Sequence, residues 1–368
     1  MASPTYILAG GGTGGHLYPG LAVAAELTSR QPEAQVVFAC SDRPIDRRIL
    51  EPTPYAWAPQ PVRPMPRRIA GWPAFLRAYL SSALQARQMV ADLRPVAVLG
   101  LGGFAAGPVV CRAARAGVPT GLLNPDAVPG KANRLLARRV RVIFTQFEGT
   151  AEHFGRLGAA KVRRVGCPVR REFATADRQE ASRHFGLRPD RKTLLVNGGS
   201  LGAESINEAI GRLGAELDEL AGTWQLLHVT GPSKAAAEAE AGEMHVRVLE
   251  YCRRMDLAYA AADLSLSRAG AATVAELRAT GMPAVLMPYP YHADQHQRLN
   301  AAALSEAGAA VICADARDAD RNAETLRRTL LPILREPARL ESMRLAASRD
   351  RPAHAAETVA GWLVGPDR

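Results

Sequence analysis

Residues 5–27, TYILAGGGTGGHLYPGLAVAAEL, decide the fold of this chain. A short apolar run leads directly into a loop made almost entirely of glycine, and a helical pattern of apolar residues follows it. This order predicts a β-strand, a tight turn and an α-helix. Residues 194–210, LLVNGGSLGAESINEAI, repeat the same order. We therefore interpret the chain as two similar α/β units in series.

Further short apolar runs alternate with helical patterns through both halves. They are AQVVFAC, VAVLGLGG and VRVIFTQ in the first half, and WQLLHVTG, DLSLSRAG, MPAVLMPYP and AAVICAD in the second. Such alternation is typical of a parallel sheet covered by helices on both faces. We expect two doubly wound, Rossmann-like domains, residues 1–165 and 166–350, that meet near GCPVRREF. We also expect a C-terminal helix at about 352–366 to pack back on the first domain, and ligands to bind in a cleft where the carboxyl ends of both sheets face each other.

The composition favours an anionic partner. The 368 residues include 46 Lys and Arg against 36 Asp and Glu, which gives a net charge of +10. This excess suits a nucleic acid, a phosphorylated metabolite or an acidic lipid surface. The five cysteines form no C-x-x-C pair, which argues against a zinc site or a disulfide framework and favours a reducing compartment. The longest uncharged stretch is broken by glycine and too short to cross a bilayer, so any membrane contact is expected to be peripheral.

Three glycine-rich loops follow predicted strands, at residues 10–16, 100–107 and 198–204. A helix that starts after such a loop presents backbone N–H groups, which together with the helix dipole bind phosphate. For any one loop, a tight turn without a ligand is the alternative. Three such loops shared between two domains favour a pair of substrates that carry more than one diphosphate.

His16 stands just inside the first predicted helix. The positive end of the helix dipole disfavours the imidazolium there, so the ring is expected to be neutral near pH 7. A neutral imidazole can accept the proton of a hydroxyl nucleophile. The alternative is a histidine that only hydrogen-bonds to nearby backbone or to a ligand phosphate.

A second polar cluster is predicted in the second domain. In SRAGAATVAEL, Thr273 and Glu276 are spaced for a capping box; alternatively, the Glu276 carboxylate accepts hydrogen bonds from the two hydroxyls of a ribose. In YHADQHQRLNA, histidine and carboxamide side chains can distinguish the hydroxyls of a sugar. His292 and His296, with Asp294 between them, could instead bind a metal, but no further ligand is near in the sequence.

The segment PRRIAGWPAFLRAYL, residues 66–80, combines aromatic and aliphatic side chains with arginines. It is expected either to lie in a membrane interface with its arginines on anionic lipid, or to bury its apolar face against the first sheet. The residues assigned to the membrane are Arg67, Arg68, Ile69, Trp72, Phe75, Leu76 and Tyr79.

Taken together, these motifs resemble the MurG family of UDP-N-acetylglucosamine transferases, from about residue 5 to beyond residue 310. The resemblance implies a GT-B fold and an inverting glycosyltransferase that needs neither metal nor cofactor. It implies transfer of N-acetylglucosamine from UDP to the C4 hydroxyl of undecaprenyl-pyrophosphoryl-N-acetylmuramoyl-pentapeptide, in peptidoglycan biosynthesis. Nucleic acid is not an expected partner. The location implied is the cytoplasmic face of the cell membrane, beside other proteins of cell-wall synthesis.

The resemblance also implies roles for individual residues, with His16 as the catalytic base. Donor-binding residues are Thr13, Gly14, Arg170, Ser200, Leu201, Tyr251, Cys252, Met255, Ala271, Thr273, Glu276, His296 and Gln297. Acceptor-binding residues are Gly12, Gly15, His16, Gly102, Gly103 and Asp126. The chain departs from the family at Leu123–Asp126, which replaces a strongly polar run.

Three other functions stay open on the sequence. A UDP-sugar 2-epimerase has a similar two-domain fold and needs no acceptor. A related glycosyltransferase could use another lipid or a glycopeptide. A sugar-nucleotide-binding module would retain Glu276 and Gln297 without turnover.

Overall fold

A computed structural model describes residues 3–66, 68–232, 242–291, 294–349 and 354–365. The chain divides into two compact units, Met1–Arg170 with His354–Arg368, and Arg171–Ala353. The division falls between Arg170 and Arg171, slightly later than the predicted one between residues 165 and 166.

The first unit is built on a seven-stranded, wholly parallel sheet. Its strands are β1 Thr5–Gly10, β2 Gln35–Ser41, β3 Ala56–Gln60, β4 Ala97–Gly102, β5 Thr120–Asn124, β6 Val142–Thr145 and β7 Val162–Arg164. They lie in the order β3-β2-β1-β4-β5-β6-β7. Because the order reverses direction between β1 and β4, the carboxyl ends of these two strands form the switch point at which doubly wound folds bind ligands.

Helices flank this sheet, as the sequence pattern predicts. They are α1 Gly14–Arg30, α2 Pro44–Leu50, α3 Trp72–Leu93, α4 Ala106–Arg115, α5 Lys131–Leu136 and α6 Gly155–Ala159, with 3-10 turns at Ile69–Gly71 and Thr150–Phe154. Strands β1 and β4 are buried along their whole length, which explains their continuous apolar sequence.

The second unit is built on a six-stranded parallel sheet. Its strands are β8 Lys192–Asn197, β9 Trp224–Val229, β10 Val246–Leu249, β11 Leu264–Ser267, β12 Ala284–Leu286 and β13 Ala310–Ile312, in the order β10-β9-β8-β11-β12-β13. Its helices are α7 Glu172–Thr175, α8 Arg178–Phe185, α9 Glu204–Gly211, α10 Gly214–Asp218, α11 Met255–Ala261, α12 Ala271–Thr280, α13 His296–Glu306, α14 Ala319–Arg335 and α15 Pro337–Arg349. The switch point lies between β8 and β11. The prediction of two doubly wound parallel-sheet domains is thus confirmed.

The helix α16, Ala355–Val364, belongs to the first unit although it follows the whole of the second in the chain. It packs on α1 and β4. The Trp362 ring lies edge-on to Phe144 at 5.8 Å between centroids. A side chain at Gly121 in β5 would collide with that ring, since its Cβ would be 2.8 Å from Trp362 Cζ3. The core of the first unit therefore includes residues from both ends of the chain.

Candidate active site

In the first unit, His16 lies between two of the glycine loops. It occupies the first turn of α1, and its ring rests against Gly102 and Gly103 at the end of β4. Both glycines have positive φ, +102° and +74°, a region that favours glycine. A Cβ on Gly102 would be 3.0 Å from His16 Cδ2, and a Cβ on Gly103 would be 3.2 Å from His16 Cε1. The second glycine loop is therefore needed to make room for the imidazole.

The hydrogen bonds of His16 indicate which nitrogen carries the proton. His16 Nδ1 is 3.2 Å from the Gly11 carbonyl oxygen and 3.1 Å from Thr13 Oγ1. A carbonyl oxygen only accepts, so we assign the proton to Nδ1 and the lone pair to Nε2. Burial lowers the pKa of His16 below its ordinary value of 6.5, and the opposing effects of the nearby Asp126 and Asp46 carboxylates and of the bond to Gly11 are smaller. The ring is therefore neutral near pH 7, with Nε2 able to accept a proton.

The first glycine loop is held in shape by Asp46, which sequence reasoning missed. This fully buried carboxylate accepts hydrogen bonds from the Gly12 amide, at 2.8 and 2.9 Å, and from the amide and hydroxyl of Ser41, at 2.9 and 2.6 Å. A side chain on Gly11 would collide with it. The Gly12 amide is thus bound to protein, and the N-terminal turn of α1 carries the anion-binding capacity of this loop.

That turn has the features of an anion site. Thr13 is the N-cap, its side chain makes no capping hydrogen bond, and no acidic residue stands in the first turn, which contains Gly14 and Gly15. Arg43 lies beside it, donating to the Gly12 carbonyl oxygen at 3.3 Å, with its guanidinium 5.1 Å from the centre of the Phe104 ring. Arg43 is a second residue that the sequence interpretation did not select.

The segment Leu123–Asp126, whose sequence differs from the family pattern, also lies at this site. Asn124 ends β5, and its side chain donates to the Asp126 carbonyl oxygen at 2.7 Å. Asn133 donates to Asn124 Oδ1 at 2.9 Å and lies against Gly102. The Asp126 carboxylate is close enough to His16 to act on its pKa. Asn133 was also missed by the sequence interpretation.

In the second unit, the loop after β8 is shaped by close backbone packing. Gly199 donates its amide to Asn197 Oδ1 at 2.9 Å. A Cβ at Gly202, where φ is +72°, would collide with the Thr230 carbonyl oxygen. Ser200 and Leu201 lie between these glycines, and the Leu201 side chain is exposed. Glu204 stands in the first turn of α9, so this helix end is less favourable to an anion than the start of α1.

Arg268, which lies in the segment SRAGAATVAEL but was not selected as a site residue, is buried and supports this region. It donates to Asp315 Oδ2 at 2.8 Å, to Ser205 Oγ at 2.8 Å and to the Met287 carbonyl oxygen at 3.0 Å. Burial would raise the pKa of Asp315, but its hydrogen bonds from Ser205, the Arg317 amide, Asn322 and Arg268 lower it. Arg268 therefore joins the ends of β11 and β12 to the start of α9.

The capping-box interpretation of Thr273 and Glu276 is wrong. The N-cap of α12 is Gly270, which places Thr273 in the third helical position, and no side chain caps the helix. Glu276 lies one turn further along and is partly exposed. Its carboxylate is therefore not part of a helix cap. Ala271, the first residue of the helix, is buried.

The predicted sugar-binding residues begin α13. His296 is its first residue, and its Nδ1 is 2.8 Å from Asp294 Oδ1. Gln297 accepts a hydrogen bond from the Tyr289 amide at 2.9 Å. These contacts fix both side chains at the N-terminal end of the helix. Within the described part of the chain no group of three His, Cys, Asp or Glu is placed to hold a metal; His292 lies outside the described residues.

The remaining donor-site predictions fall in two places. Tyr251 and Met255 are partly buried and Cys252 is buried, around the start of α11. Arg170 is the last residue of the first unit before the division, and its guanidinium lies 5.3 Å from the centre of the Tyr18 ring.

The segment predicted to meet a membrane forms an exposed apolar stripe. The face of α3 that packs against the protein is narrow and consists of Ala78, Ser82, Ala86 and Val90. On the other side the exposed apolar residues are Met65, Ile69, Trp72, Leu76, Tyr79, Leu80 and Leu84. Ile69 is 88% exposed, and Phe75 is half-buried between Trp72 and Tyr79. Arg68 is exposed beside them; Arg67 lies outside the described residues. Burial of this apolar face against the sheet, the alternative interpretation, is wrong.

Among the described helices, none has both the length and the apolar character needed to cross a bilayer.

Both units match a known family model. Residues 6–145 match the glycosyltransferase family 28 N-terminal domain, and residues 193–359 match the glycosyltransferase family 28 C-terminal domain. The chain is 35% identical over 352 residues to the UDP-N-acetylglucosamine–N-acetylmuramyl-(pentapeptide) pyrophosphoryl-undecaprenol N-acetylglucosamine transferase of Desulfitobacterium hafniense strain Y51, covering 93% of each chain. It is 39% identical over 363 residues to the same-named enzyme of Clavibacter michiganensis subsp. michiganensis, covering 96% of this chain and 95% of the other.

A solved structure has the same fold. The crystal structure of Acinetobacter baumannii MurG matches with a TM-score of 0.71 and 27% identity, covering 98% of this chain and 99% of the other. The predicted GT-B fold is thereby confirmed.

Proposed function

Since this chain belongs to glycosyltransferase family 28, and within it to the MurG transferases, we propose that it transfers N-acetylglucosamine from UDP-N-acetylglucosamine to a lipid-linked muramoyl-pentapeptide. The acceptor is undecaprenyl-pyrophosphoryl-N-acetylmuramoyl-pentapeptide, and the new bond forms at its C4 hydroxyl with inversion at the anomeric carbon. The first unit holds the acceptor and the second holds the donor. The product is the disaccharide precursor of peptidoglycan.

The observation that carries the catalytic part of the proposal is the setting of His16. With Nδ1 bound to Gly11, Nε2 takes the proton of the C4 hydroxyl as the oxygen attacks the sugar. The acceptor pyrophosphate binds at the first turn of α1, which includes Gly15, and at the loop of Gly102 and Gly103. The Asp126 carboxylate, which acts on His16, stabilises the imidazolium that forms.

On the donor side, different residues bind different parts of the substrate. The loop of Ser200 and Leu201, with Arg170, stabilises the charge that develops on the UDP leaving group. Glu276 accepts hydrogen bonds from the ribose hydroxyls. His296 and Gln297 contact the N-acetylglucosamine hydroxyls.

The remaining donor-site residues complete this side. Tyr251, Cys252 and Met255 line the uracil pocket, and Ala271 and Thr273 lie beside the ribose. Thr13 and Gly14 contact the donor from the first unit.

The membrane-bound acceptor explains the exposed stripe on α3. We propose that Ile69, Trp72, Leu76 and Leu80 lie in the headgroup region on the cytoplasmic face of the membrane, with Arg68 on anionic lipid. The net charge of +10 favours binding to an anionic lipid surface. Other proteins of cell-wall synthesis would be met at this surface.

The test is an incubation with labelled UDP-N-acetylglucosamine and a short-chain analogue of the lipid-linked muramoyl-pentapeptide. We expect a labelled lipid-linked disaccharide that forms only when both substrates are present. Conversion of the donor alone would identify a UDP-sugar 2-epimerase, and transfer only to another lipid or to a glycopeptide would identify a different acceptor. Binding of UDP without any turnover would identify a binding module.

A further inference from the structure

The buried Tyr259 hydroxyl is a polar group that the mechanism above does not use. Tyr259 lies in α11 and is 1% exposed, with its ring 5.9 Å from that of Phe173. Its hydroxyl oxygen is buried without a hydrogen bond of normal geometry to any described residue. Buried tyrosine hydroxyls usually have a partner, because an unpaired one loses its bonds to water and gains none in return. A phenylalanine would fill the same space without that penalty.

The surroundings of the hydroxyl are the donor-site residues themselves. Helix α11 packs on both β8 and α12. Burial and the neighbouring Glu276 carboxylate raise the pKa of Tyr259 well above its ordinary value, and Asn197 and Cys252 are also near enough to affect it. The phenol is therefore always protonated at physiological pH and is a hydrogen-bond donor.

Two of these neighbours belong to different parts of the donor site. Glu276 is the carboxylate assigned to the ribose. Asn197 Oδ1 holds the Gly199 amide, at 2.9 Å, in the loop assigned to the diphosphate. The hydroxyl thus lies where the ribose-binding and diphosphate-binding elements meet. Hydrogen bonds in unliganded sites are often long and shorten when the ligand is bound.

We propose that Tyr259 is a positioning residue for the donor site, whose hydroxyl donates to Glu276 and orients that carboxylate toward the two ribose hydroxyls. This inference rests on the proposed function, because it takes Glu276 as the ribose ligand. The bond closes when a ribonucleotide binds. A ligand that lacks the 2′-hydroxyl gains less from it.

The experiment compares Tyr259→Phe, Glu276→Gln and the double variant in the full-length chain. The probes are UDP and 2′-deoxy-UDP in calorimetric titrations, with melting temperature and steady-state kinetics measured alongside. The matched control is Tyr6→Phe, which removes another buried tyrosine hydroxyl, bonded to Gln31 at 2.7 Å in the first unit.

We expect Tyr259→Phe to weaken UDP binding about tenfold, as for loss of one hydrogen bond to a charged group. We expect kcat within about twofold and a melting temperature that does not fall.

Selectivity and additivity separate positioning from simple packing. We expect 2′-deoxy-UDP to lose little affinity in Tyr259→Phe, and the double variant to bind UDP no more weakly than Glu276→Gln alone. Equal losses for both nucleotides, additive effects in the double variant, or unchanged UDP binding in Tyr259→Phe would each overturn the inference. If Glu276→Gln itself left UDP binding unchanged, the proposed donor site would be wrong, which is a different outcome from the failure of Tyr259 alone.

Discussion

His16 is the residue on which the proposed chemistry depends most directly. Its replacement by alanine removes the base and leaves the second unit untouched. We expect kcat to fall by about 10²- to 10⁴-fold, the range for one general base, while the dissociation constant for UDP changes less than threefold. Steady-state kinetics and calorimetric titration with UDP measure the two effects. His184→Ala, on the exposed face of α8, is the control. Comparable losses in turnover and UDP affinity would assign His16 a binding role.

The protonation of His16 gives a dependence on pH with a defined sign. Because burial lowers the pKa of His16 below 6.5, the neutral base persists to lower pH than an ordinary histidine would. We expect kcat/KM to be constant through neutral pH and to fall only below pH 6.5. A pH profile of kcat/KM, which reports the pKa values of groups in the free enzyme, measures this. An acidic limb centred above 6.5 would contradict the assignment.

Asp46 shows what a single carboxylate contributes to the glycine loop. Asp46→Ala leaves the Gly12 amide and both Ser41 donors without their acceptor. We expect a loss of about 3 kcal/mol in the free energy of unfolding, as for bonds to a buried charge, and a higher KM for the acceptor. Urea denaturation and acceptor titrations measure these effects. The exposed Asp42→Ala is expected to change neither.

Sequence reasoning could select His16 but not Asp46, for a physical reason. A histidine beside a glycine run is conspicuous, whereas an aspartate in PIDRRIL reads as an exposed residue of an ordinary helix. Its burial depends on the meeting of α2 with the β1–α1 loop, which involves residues far apart in the chain. The same holds for Asn133, whose partners Asn124 and Gly102 come from two different strands.

Among the elements, α3 carries the clearest prediction. Leu76→Asp with Leu80→Asp places two charges in the exposed apolar stripe. If both side chains enter the membrane, each contributes about 1.5 kcal/mol, so binding to vesicles containing phosphatidylglycerol should weaken about 100-fold or more. Co-sedimentation measures it. Leu135→Asp with Leu157→Asp, equally exposed leucines elsewhere on the first unit, are the control and should have little effect. Turnover of a short-chain acceptor in solution should be unchanged.

The elements that the sequence pattern did not reveal are mostly edge strands. β3 and β10 lie at the edges of their sheets and are only partly buried, and β3, AWAPQ, contains a proline. Their sequences therefore lack the continuous apolar run that marked β1, β4 and β8. α1 also begins earlier than the apolar pattern suggests, because Gly14 and Gly15 form its first turn and Pro19 lies within it. Because glycine and proline have low helix propensity, the sequence does not indicate that the helix starts there.

For the whole molecule, stability should depend on acid through His228. Burial lowers the pKa of this residue, in β9, to about 4, against about 6.5 in the unfolded chain. Between these values the unfolded chain binds more protons than the folded one. The contribution of His228 to the free energy of unfolding of the second unit is therefore complete above pH 6.5. As the pH falls toward 4 this contribution, up to about 3 kcal/mol, is lost.

Urea denaturation followed in the second unit at several pH values measures this dependence. His228→Gln removes the titrating group while its amide can still reach Asn207, the partner of His228 Nε2 at 2.9 Å. We expect a flatter dependence on pH in this variant. An unchanged slope would assign the acid sensitivity to other groups.

The two-domain organisation was accessible from the sequence, because the strand, glycine turn and helix occur twice at similar spacing. Sequence identity of 35% and 39% to two MurG transferases, over almost the whole chain, supports the same reaction. The contacts inside each site were less accessible. Arg268 lies in the motif that contains the predicted ribose ligand, yet it is buried in an ion pair with Asp315, and no spacing in the sequence indicates that pair.

The position of α16 has a consequence for how the chain matures during translation. N-terminal domains usually fold first as they leave the ribosome. Here Trp362 fills the space above Gly121 and beside Phe144, so the amino-terminal sheet stays uncovered on that side until ribosomes have passed codon 362. We expect the unit synthesised second to reach its native state first. A released chain that ends at residue 353, before α16, should then be cleaved by protease in the first unit while the second resists.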